Sequence, residues 1–255
     1  MKMLRFFFNT WKGLCLAALL VVGVGYGLVV MMCPVRVHPG EVDSFNKLHN
    51  ISMWLAALAE NAHGFLPAYC VDEEGKPLQS WTLFLNPEGV EKAYNKSVAW
   101  NDASNVPYQK GHDWTWYHVW KHPGTPEMTC FTMVVPANYQ PHVWQAADAA
   151  ETLYPVDTNP DFVPVIIEDA GSVHHWLEPK VLCLEEMFAG KDLDEPSGLG
   201  GVHPGKIVMM AADGKVYLIP DTTSRRILLM LSTPEGMKKL RPIQKKELTE
   251  FEIVP

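Results

Sequence analysis

An amphipathic repeat between residues 43 and 62 is the clearest pattern along the chain. Four apolar residues recur at spacings of three and four: Leu48, Ile51, Leu55 and Leu58. This spacing places them on one face of a helix, with Trp54 beside them. Asp43 or Ser44 is the expected N-cap, because short polar side chains accept hydrogen bonds from the first amides of a helix. The pattern therefore predicts an amphipathic helix that ends near Ala62.

The helical pattern stops in the stretch 63–81, which joins the helix to a different kind of structure. His63-Gly64 ends the apolar repeat, and Pro67 cannot continue a helix. A polar turn follows at Asp72–Pro77. Apolar residues then dominate Trp81–Leu85, which predicts a strand buried on both faces. The stretch connects the predicted helix to the predicted strands and contains no set of residues typical of a catalytic site.

Later apolar runs predict further strands. Thr129–Val135 and Val163–Ile167 are each short, apolar and rich in β-branched or aromatic residues. Apolar runs also flank Asp213-Gly214, a dipeptide that is the strongest short-range signal of a hairpin. The remaining predicted segments are a helical turn at 87–94, a loop at 99–105, an apolar helix at 225–231 and a solvent-facing charged tail from 238 onward. The chain is therefore expected to be α+β, with the amphipathic helix packed on an antiparallel sheet.

The N-terminal segment resembles a membrane anchor. Lys2, Arg5 and Lys12 precede an uncharged run at 13–35, which is long enough to cross a bilayer core. Positive charge before the run predicts a cytoplasmic N-terminus and a domain on the far side of the membrane. A cleaved signal peptide is the main alternative, although its apolar core is usually shorter.

These patterns divide the chain into five expected parts. They are a cytoplasmic N-terminus at 1–12, a transmembrane anchor at 13–35, a linker at 36–42, an extracytoplasmic α+β domain at 43–236 and a charged C-terminal tail at 237–255. The expected location is the inner, cytoplasmic membrane, with a single pass that contacts lipid through 13–35.

The net charge and the cysteine spacing argue against two classes of function. A net charge of -8 argues against a nucleic-acid partner, which would need a basic surface. Cys70, Cys130 and Cys183 lie far apart without a CxxC spacing, so a structural zinc site is poorly supported. One disulfide among these three cysteines and buried thiols are both compatible with the sequence.

Segment 110–125 holds the densest candidate chemistry. Three histidines lie close together there, beside Asp113, and are weak candidates for metal ligands: His112, His118 and His122. Three tryptophans interleave with them and offer flat faces on which a sugar ring or a cation can stack: Trp114, Trp116 and Trp120. The alternative, which involves no small-molecule ligand, is that the tryptophans pack over the sheet or contact another protein. No metal frame such as HExxH is present, and the small-molecule ligand, if there is one, is unknown.

A second cluster contains His174 and His175, which follow Glu168-Asp169 and precede Glu178. Neighbouring strand residues point to opposite faces, so the two histidines are expected to diverge rather than to form an acid–base pair. The chain has no nucleophile elbow, phosphate-binding loop or dinucleotide fingerprint. The sequence therefore predicts no enzymatic activity, no catalytic residue and no cofactor.

In their order, several segments resemble a large planctomycete family of pilin-like proteins of unknown function. The matching segments are His63–Ala68, Asp72–Pro87, Ala99–Asp102 with Asn105, Phe162–Glu168, Trp176–Pro179, His203–Ile219 and Thr233–Gly236. Members of that family carry a prepilin-type N-terminus and a C-terminal β-rich domain. The resemblance covers roughly residues 43–236.

The N-terminus departs from the family pattern. Lys12-Gly13 matches the frame of a prepilin cleavage site, but Ala18 stands where the family carries a carboxylate that helps subunits assemble. This weakens the expectation of processing and of filament incorporation. The resemblance implies a pseudopilin-like envelope protein that acts through protein contacts. The alternatives are a tethered carbohydrate-binding module that uses 110–125 and, less favoured, a metal-dependent hydrolase.

Overall fold

A computed structural model describes residues 39–62, 64–85, 94–109, 128–144, 157, 162–245 and 248–253. All of them belong to one compact unit that spans 38–255.

The described residues form short strands and few helices. The helices are α1 (Pro39–Ala62), α2 (Val106–Gln109), α3 (Leu184–Met187), α4 (Arg225–Leu231) and α5 (Pro234–Lys238), with 3-10 helices η1 (Trp81–Leu85) and η2 (Ala170–Ser172). The strands are β1 (Tyr69–Val71), β2 (Pro77–Ser80), β3 (Met128–Thr129), β4 (Phe131–Val134), β5 (His142–Val143), β6 (Val165–Glu168), β7 (His174–His175), β8 (Val181–Leu182), β9 (Lys206–Met210), β10 (Val216–Pro220), β11 (Leu240–Lys245) and β12 (Leu248–Ile253). The predicted α+β class is confirmed at this level.

The main sheet has five strands in the order β10-β9-β6-β4-β8. Its neighbours are antiparallel, with Ile166 opposite Met210 and Phe131 opposite Glu168, except that β8 pairs with β4 in parallel. A separate three-stranded sheet has the order β2-β1-β5, and β3 pairs with β7. The expected antiparallel sheet is thus a mixed sheet.

Both faces of the main sheet are covered. On β9, Val208 and Met210 join a core with α1 and η1, whereas Ile207 and Met209 join a second core with α4. This split follows from the strand period, because successive side chains point to opposite faces. Near-continuous apolar runs are typical of strands buried on both sides. Sequence analysis predicted one helix layer over the sheet, and the second layer was missed.

Helix α1 buries the face that its repeat predicted. Its four periodic residues are all buried and pack over β9, β10 and η1: Leu48, Ile51, Leu55 and Leu58. The helix begins at Pro39, so the prediction that Asp43 or Ser44 caps it is wrong. Proline is well suited to a first helical turn, since the amide that it lacks would have no helical partner. Ser44 instead lies inside the helix and faces the sheet.

The predicted strand at Trp81–Leu85 is wrong, because these residues form η1. All five side chains are buried, as predicted. A short apolar run cannot by itself separate a buried strand from a buried helical turn. The strand of this region is β2, which lies just before η1 and pairs with β1.

The predicted hairpin and the helix at 225–231 are confirmed. β9 and β10 pair from Val216 opposite Met210 to Pro220 opposite Lys206, and Gly214 in the connecting turn has a φ of 75°. The C-terminal segment, expected to be a charged tail, instead contains a second hairpin, in which β11 pairs with β12 and Leu240 lies opposite Ile253. Counting charges overlooked the strand-like alternation of Phe251 and Ile253 there.

Two buried amides hold the segment 94–105. The Gln79 side-chain nitrogen donates to the carbonyls of Lys96 and Val98 at 2.9 Å each, and its oxygen accepts from the Tyr94 hydroxyl at 2.8 Å. Asn105 donates to the Asn95 carbonyl at 3.0 Å. Both amides are fully buried. Asn105, which carried part of the family resemblance, therefore has a structural role in this loop.

Replacing Gln79 with leucine is expected to lower the free energy of unfolding by about 1 to 2 kcal/mol, because two partly buried carbonyls lose their donor. Thermal unfolding of the full-length chain followed by circular dichroism measures the change. Tyr94→Phe is the matched control, since it removes one hydrogen bond and leaves both carbonyls satisfied. A Gln79→Leu variant no less stable than Tyr94→Phe would contradict this role.

Candidate functional site

The candidate site residues of segment 110–125 lie outside the described residues. This holds for Trp114, Trp116 and Trp120, and equally for His112, His118 and His122. The predicted anchor at 13–35, His63 and all but the last residue of the predicted helical turn at 87–94 also lie outside them. Within the described part of the chain, none of the helices combines the length and the apolar character that a membrane span requires.

His174 and His175 diverge, as their strand positions predicted. His174 is buried, its Nδ1 lies 2.5 Å from the Ser172 carbonyl, and burial lowers its pKa. His175 instead stacks on Trp100, with ring centroids 4.7 Å apart. The neighbouring Asp169 caps η2 by accepting from the Gly171 amide. These groups form no shared acid–base site.

A buried polar cluster lies between α1 and the sheet. The Ser44 hydroxyl donates to Oε1 of Glu168 at 2.7 Å and lies 3.1 Å from Nε2 of His203. The same Oε1 is 3.9 Å from His203 Nε2. The three side chains are 4%, 1% and 2% exposed, respectively. We call Ser44, Glu168 and His203 the Ser44 clasp, since it joins α1, the end of β6 and the loop before β9.

The clasp contains the residue types of a hydrolytic triad but not its geometry. In a triad the histidine contacts the nucleophile through one ring nitrogen and the carboxylate through the other. Here both Ser44 Oγ and Glu168 Oε1 face the same nitrogen, Nε2. Burial also keeps the Ser44 hydroxyl away from any substrate in solution. The arrangement supports a structural role for the clasp.

Desolvation dominates the electrostatics of the clasp. Burial raises the pKa of Glu168 above its usual range, against the opposing effects of the Ser44 hydroxyl, the Val202 amide, the Cys130 thiol and the Lys47 charge. The Cys130 Sγ lies 3.9 Å from Glu168 Oε1, and burial, followed by that carboxylate, raises its pKa well above the usual value. Cys130 is therefore a neutral thiol at physiological pH.

The described residues offer no metal centre and no support for a disulfide at Cys130 or Cys183. Nowhere in that part of the chain are three or more His, Cys, Asp or Glu side chains arranged to hold an ion. Cys130 and Cys183 are free thiols. Of the alternatives that the sequence left open, buried thiols fit Cys130 and Cys70, which are both buried.

The outward face of α1 carries an exposed apolar patch. Met53 and Trp54 are 52% and 53% exposed, and the adjacent Ala56 and Ala57 are exposed as well. Residues three and four apart are neighbours on a helix surface, so these four form one patch. Exposed polar residues lie at both ends of it, among them His49 and Glu60. We call Met53, Trp54, Ala56 and Ala57 the α1 patch.

Neither the clasp nor the α1 patch was predicted. The residues of the clasp are far apart in sequence, and no local pattern links them. Trp54 was assigned only to the neighbourhood of the buried face, and a helical projection does place it at the edge of that face, three residues after Ile51. The same projection places Met53 on the side of the helix opposite Leu48 and Leu55. That projection was the available signal for the patch.

Comparison with known proteins adds no relative. No protein-family model, curated protein or solved structure matches this chain.

Proposed function

We propose that this chain is a non-enzymatic, membrane-anchored protein of the cell envelope, of pseudopilin-like type, that acts through contacts with other proteins. The observation that carries the proposal is the α1 patch, where two consecutive large apolar side chains are each about half exposed. The order of an apolar N-terminal run, an amphipathic helix and a β-rich domain supports the same type.

The α1 patch has the character of a contact surface. Protein interfaces place aromatic residues and methionine at their centre and polar residues at their rim. Tryptophan is also enriched among the few residues that dominate binding energy. Trp54 and Met53 supply such a centre, and His49 and Glu60 supply a polar rim on the same helix. An apolar surface of another envelope protein is the partner that this chemistry fits.

The test combines localisation with photo-cross-linking in cells. A tagged full-length chain carries a photoreactive residue at position 54, and membrane and cytosolic fractions are compared. We expect the protein in the membrane fraction and a discrete cross-linked species. Adding Met53→Glu should reduce the cross-link yield about tenfold or more, since an unpaired charge at an interface costs more than about 1.4 kcal/mol.

Asn46→Glu is the matched control, because it adds the same charge to an exposed position of the same helix outside the patch. Both substitutions should leave the free energy of unfolding within about 0.5 kcal/mol. A chain found in the cytosolic fraction would overturn the proposal. So would a cross-link that Met53→Glu and Asn46→Glu affect equally.

A further inference from the structure

The Ser44 clasp is a polar contact within an otherwise apolar interface. Around it, α1 meets the sheet through Leu48, Ile51 and Leu55, all buried. The clasp bonds link side chains 124 and 159 residues apart. Its protonation state therefore bears directly on how firmly α1 is held.

The hydrogen-bond chain can run in two directions. With an ionised carboxylate, Nε2–H of His203 donates to Ser44 Oγ, and the Ser44 hydroxyl donates to Glu168 Oε1. With a proton on Glu168, its O–H donates to Ser44 Oγ, and the Ser44 hydroxyl donates to Nε2 of the other neutral tautomer of His203. Both contacts with Ser44 persist in either direction, so the clasp can take up one proton while keeping these two hydrogen bonds.

Loss of that proton leaves a negative charge in a poorly solvated place. The second carboxylate oxygen of Glu168, Oε2, is buried and accepts no well-formed hydrogen bond from the described residues, although the Val202 amide favours the ionised carboxylate. Burial of a charge that is incompletely hydrogen-bonded is costly. The protonated clasp is neutral and avoids this cost.

Charged and titratable groups around Glu168 come from each neighbouring element. From α1, Lys47 favours the ionised carboxylate, but its ammonium group also lies 2.7 Å from Asp43. The Cys130 thiol lies between β3 and β4, and Asp169 follows Glu168 in the chain. His203 approaches from the loop before β9. Among these groups Lys47 carries the positive charge that favours the ionised Glu168, and the same ammonium group is also paired with Asp43.

We propose that the Ser44 clasp is a proton-linked lock, which holds α1 on the sheet most firmly when it carries one proton and loosens as that proton is lost. The direction follows from linkage. An acid whose pKa is higher in the folded protein than in the unfolded chain binds its proton more tightly when folded. Its contribution is complete below the unfolded pKa of about 4.3 and is lost as the pH rises through the folded value.

Hydrogen–deuterium exchange of the full-length chain in detergent micelles tests the lock. Protection of the amides of residues 48–58 is measured from about pH 5 to about pH 9, with correction for the intrinsic pH dependence of exchange, so that the range begins above the unfolded Glu pKa of about 4.3. We expect protection of α1 to fall as the pH rises, by up to tenfold for each unit by which folding raises the pKa. Protection of the β9–β10 hairpin serves as the internal reference.

Two variants isolate Glu168. Glu168→Gln keeps the shape of the side chain without a titrating proton, so protection of α1 should become independent of pH. Glu186→Gln removes an exposed glutamate from α3 and should behave as the unmodified chain. Equal pH dependence in α1 and the hairpin, or a slope that Glu168→Gln leaves unchanged, would overturn the proposal.

A second measurement uses the unmodified chain, in case Glu168→Gln does not fold. Infrared spectroscopy should show the carbonyl band of a buried protonated carboxylic acid, and this band should disappear around the pH at which the protection of α1 stops falling. Absence of such a band at the acid end of the range would also overturn the proposal.

Discussion

Truncating Trp81 to alanine is expected to lower the free energy of unfolding by about 3 to 5 kcal/mol. Trp81 begins η1, is 1% exposed and belongs to the core beneath α1. Its backbone amide donates to the Ala68 carbonyl at 3.2 Å, which ties η1 to the segment before β1. The loss combines the transfer free energy of the indole with the cavity that remains, because packed neighbours relax only partly.

Trp54→Ala is the matched control for this prediction, since it removes the same side chain from an exposed position of α1. It should change the free energy of unfolding by no more than about 0.5 kcal/mol. Urea denaturation of the full-length chain in detergent, followed by circular dichroism, measures both. Losses of similar size in the two variants would show that η1 does not anchor the core.

Replacing Gly201 with alanine is expected to cost about 3 kcal/mol, at the upper end of the range for overpacked sites. A Cβ atom at this position would lie 1.8 Å from the Lys206 carbonyl oxygen and 3.2 Å from the Ile207 Cα. The obstacle is backbone, which cannot rotate away as a flexible side chain can. The loop that carries His203 or the start of β9 must therefore shift.

Gly200→Ala is a close control, because a Cβ atom there meets nothing within 4 Å. Denaturation of the two variants should separate a destabilised Gly201→Ala from a nearly unchanged Gly200→Ala. Equal losses of stability in Gly201→Ala and Gly200→Ala would contradict the close contact between this loop and β9. Gly201→Ala should also weaken the α1 protection measured at the acid end of the exchange experiment, since it displaces His203.

Local patterns predicted the elements whose structure depends on local chemistry. The buried face of α1 followed from Leu48, Ile51 and Leu55, and the β9–β10 hairpin from Asp213-Gly214. The secondary-structure predictions were wrong where tertiary contacts, rather than the local sequence, determine the structure. Trp81–Leu85 is equally apolar as a strand or as a 3-10 helix, and the charges of the C-terminal segment concealed the alternation that supports β11 and β12.

The Ser44 clasp could not be predicted from the sequence for a different reason. Ser44 resembled a helix cap because caps are local and depend on a short polar side chain near the start of a pattern. Its true partners, Glu168 and His203, are brought to it only when β6 and β9 lie side by side beneath α1. A buried contact between residues so distant leaves no periodic signal in a single sequence.

The separation of 159 residues between Ser44 and His203 also has a consequence for biosynthesis. At about 5 to 20 residues per second, Ser44 is synthesised roughly eight to thirty seconds before His203. Long-range contacts of this kind form late, because loop closure precedes any gain from the contact. Until then Leu48 and Ile51 have no sheet to cover them. The nascent chain is therefore most prone to aggregation, and most dependent on chaperones, in the interval after α1 has been synthesised and before the strands that cover its apolar face have been.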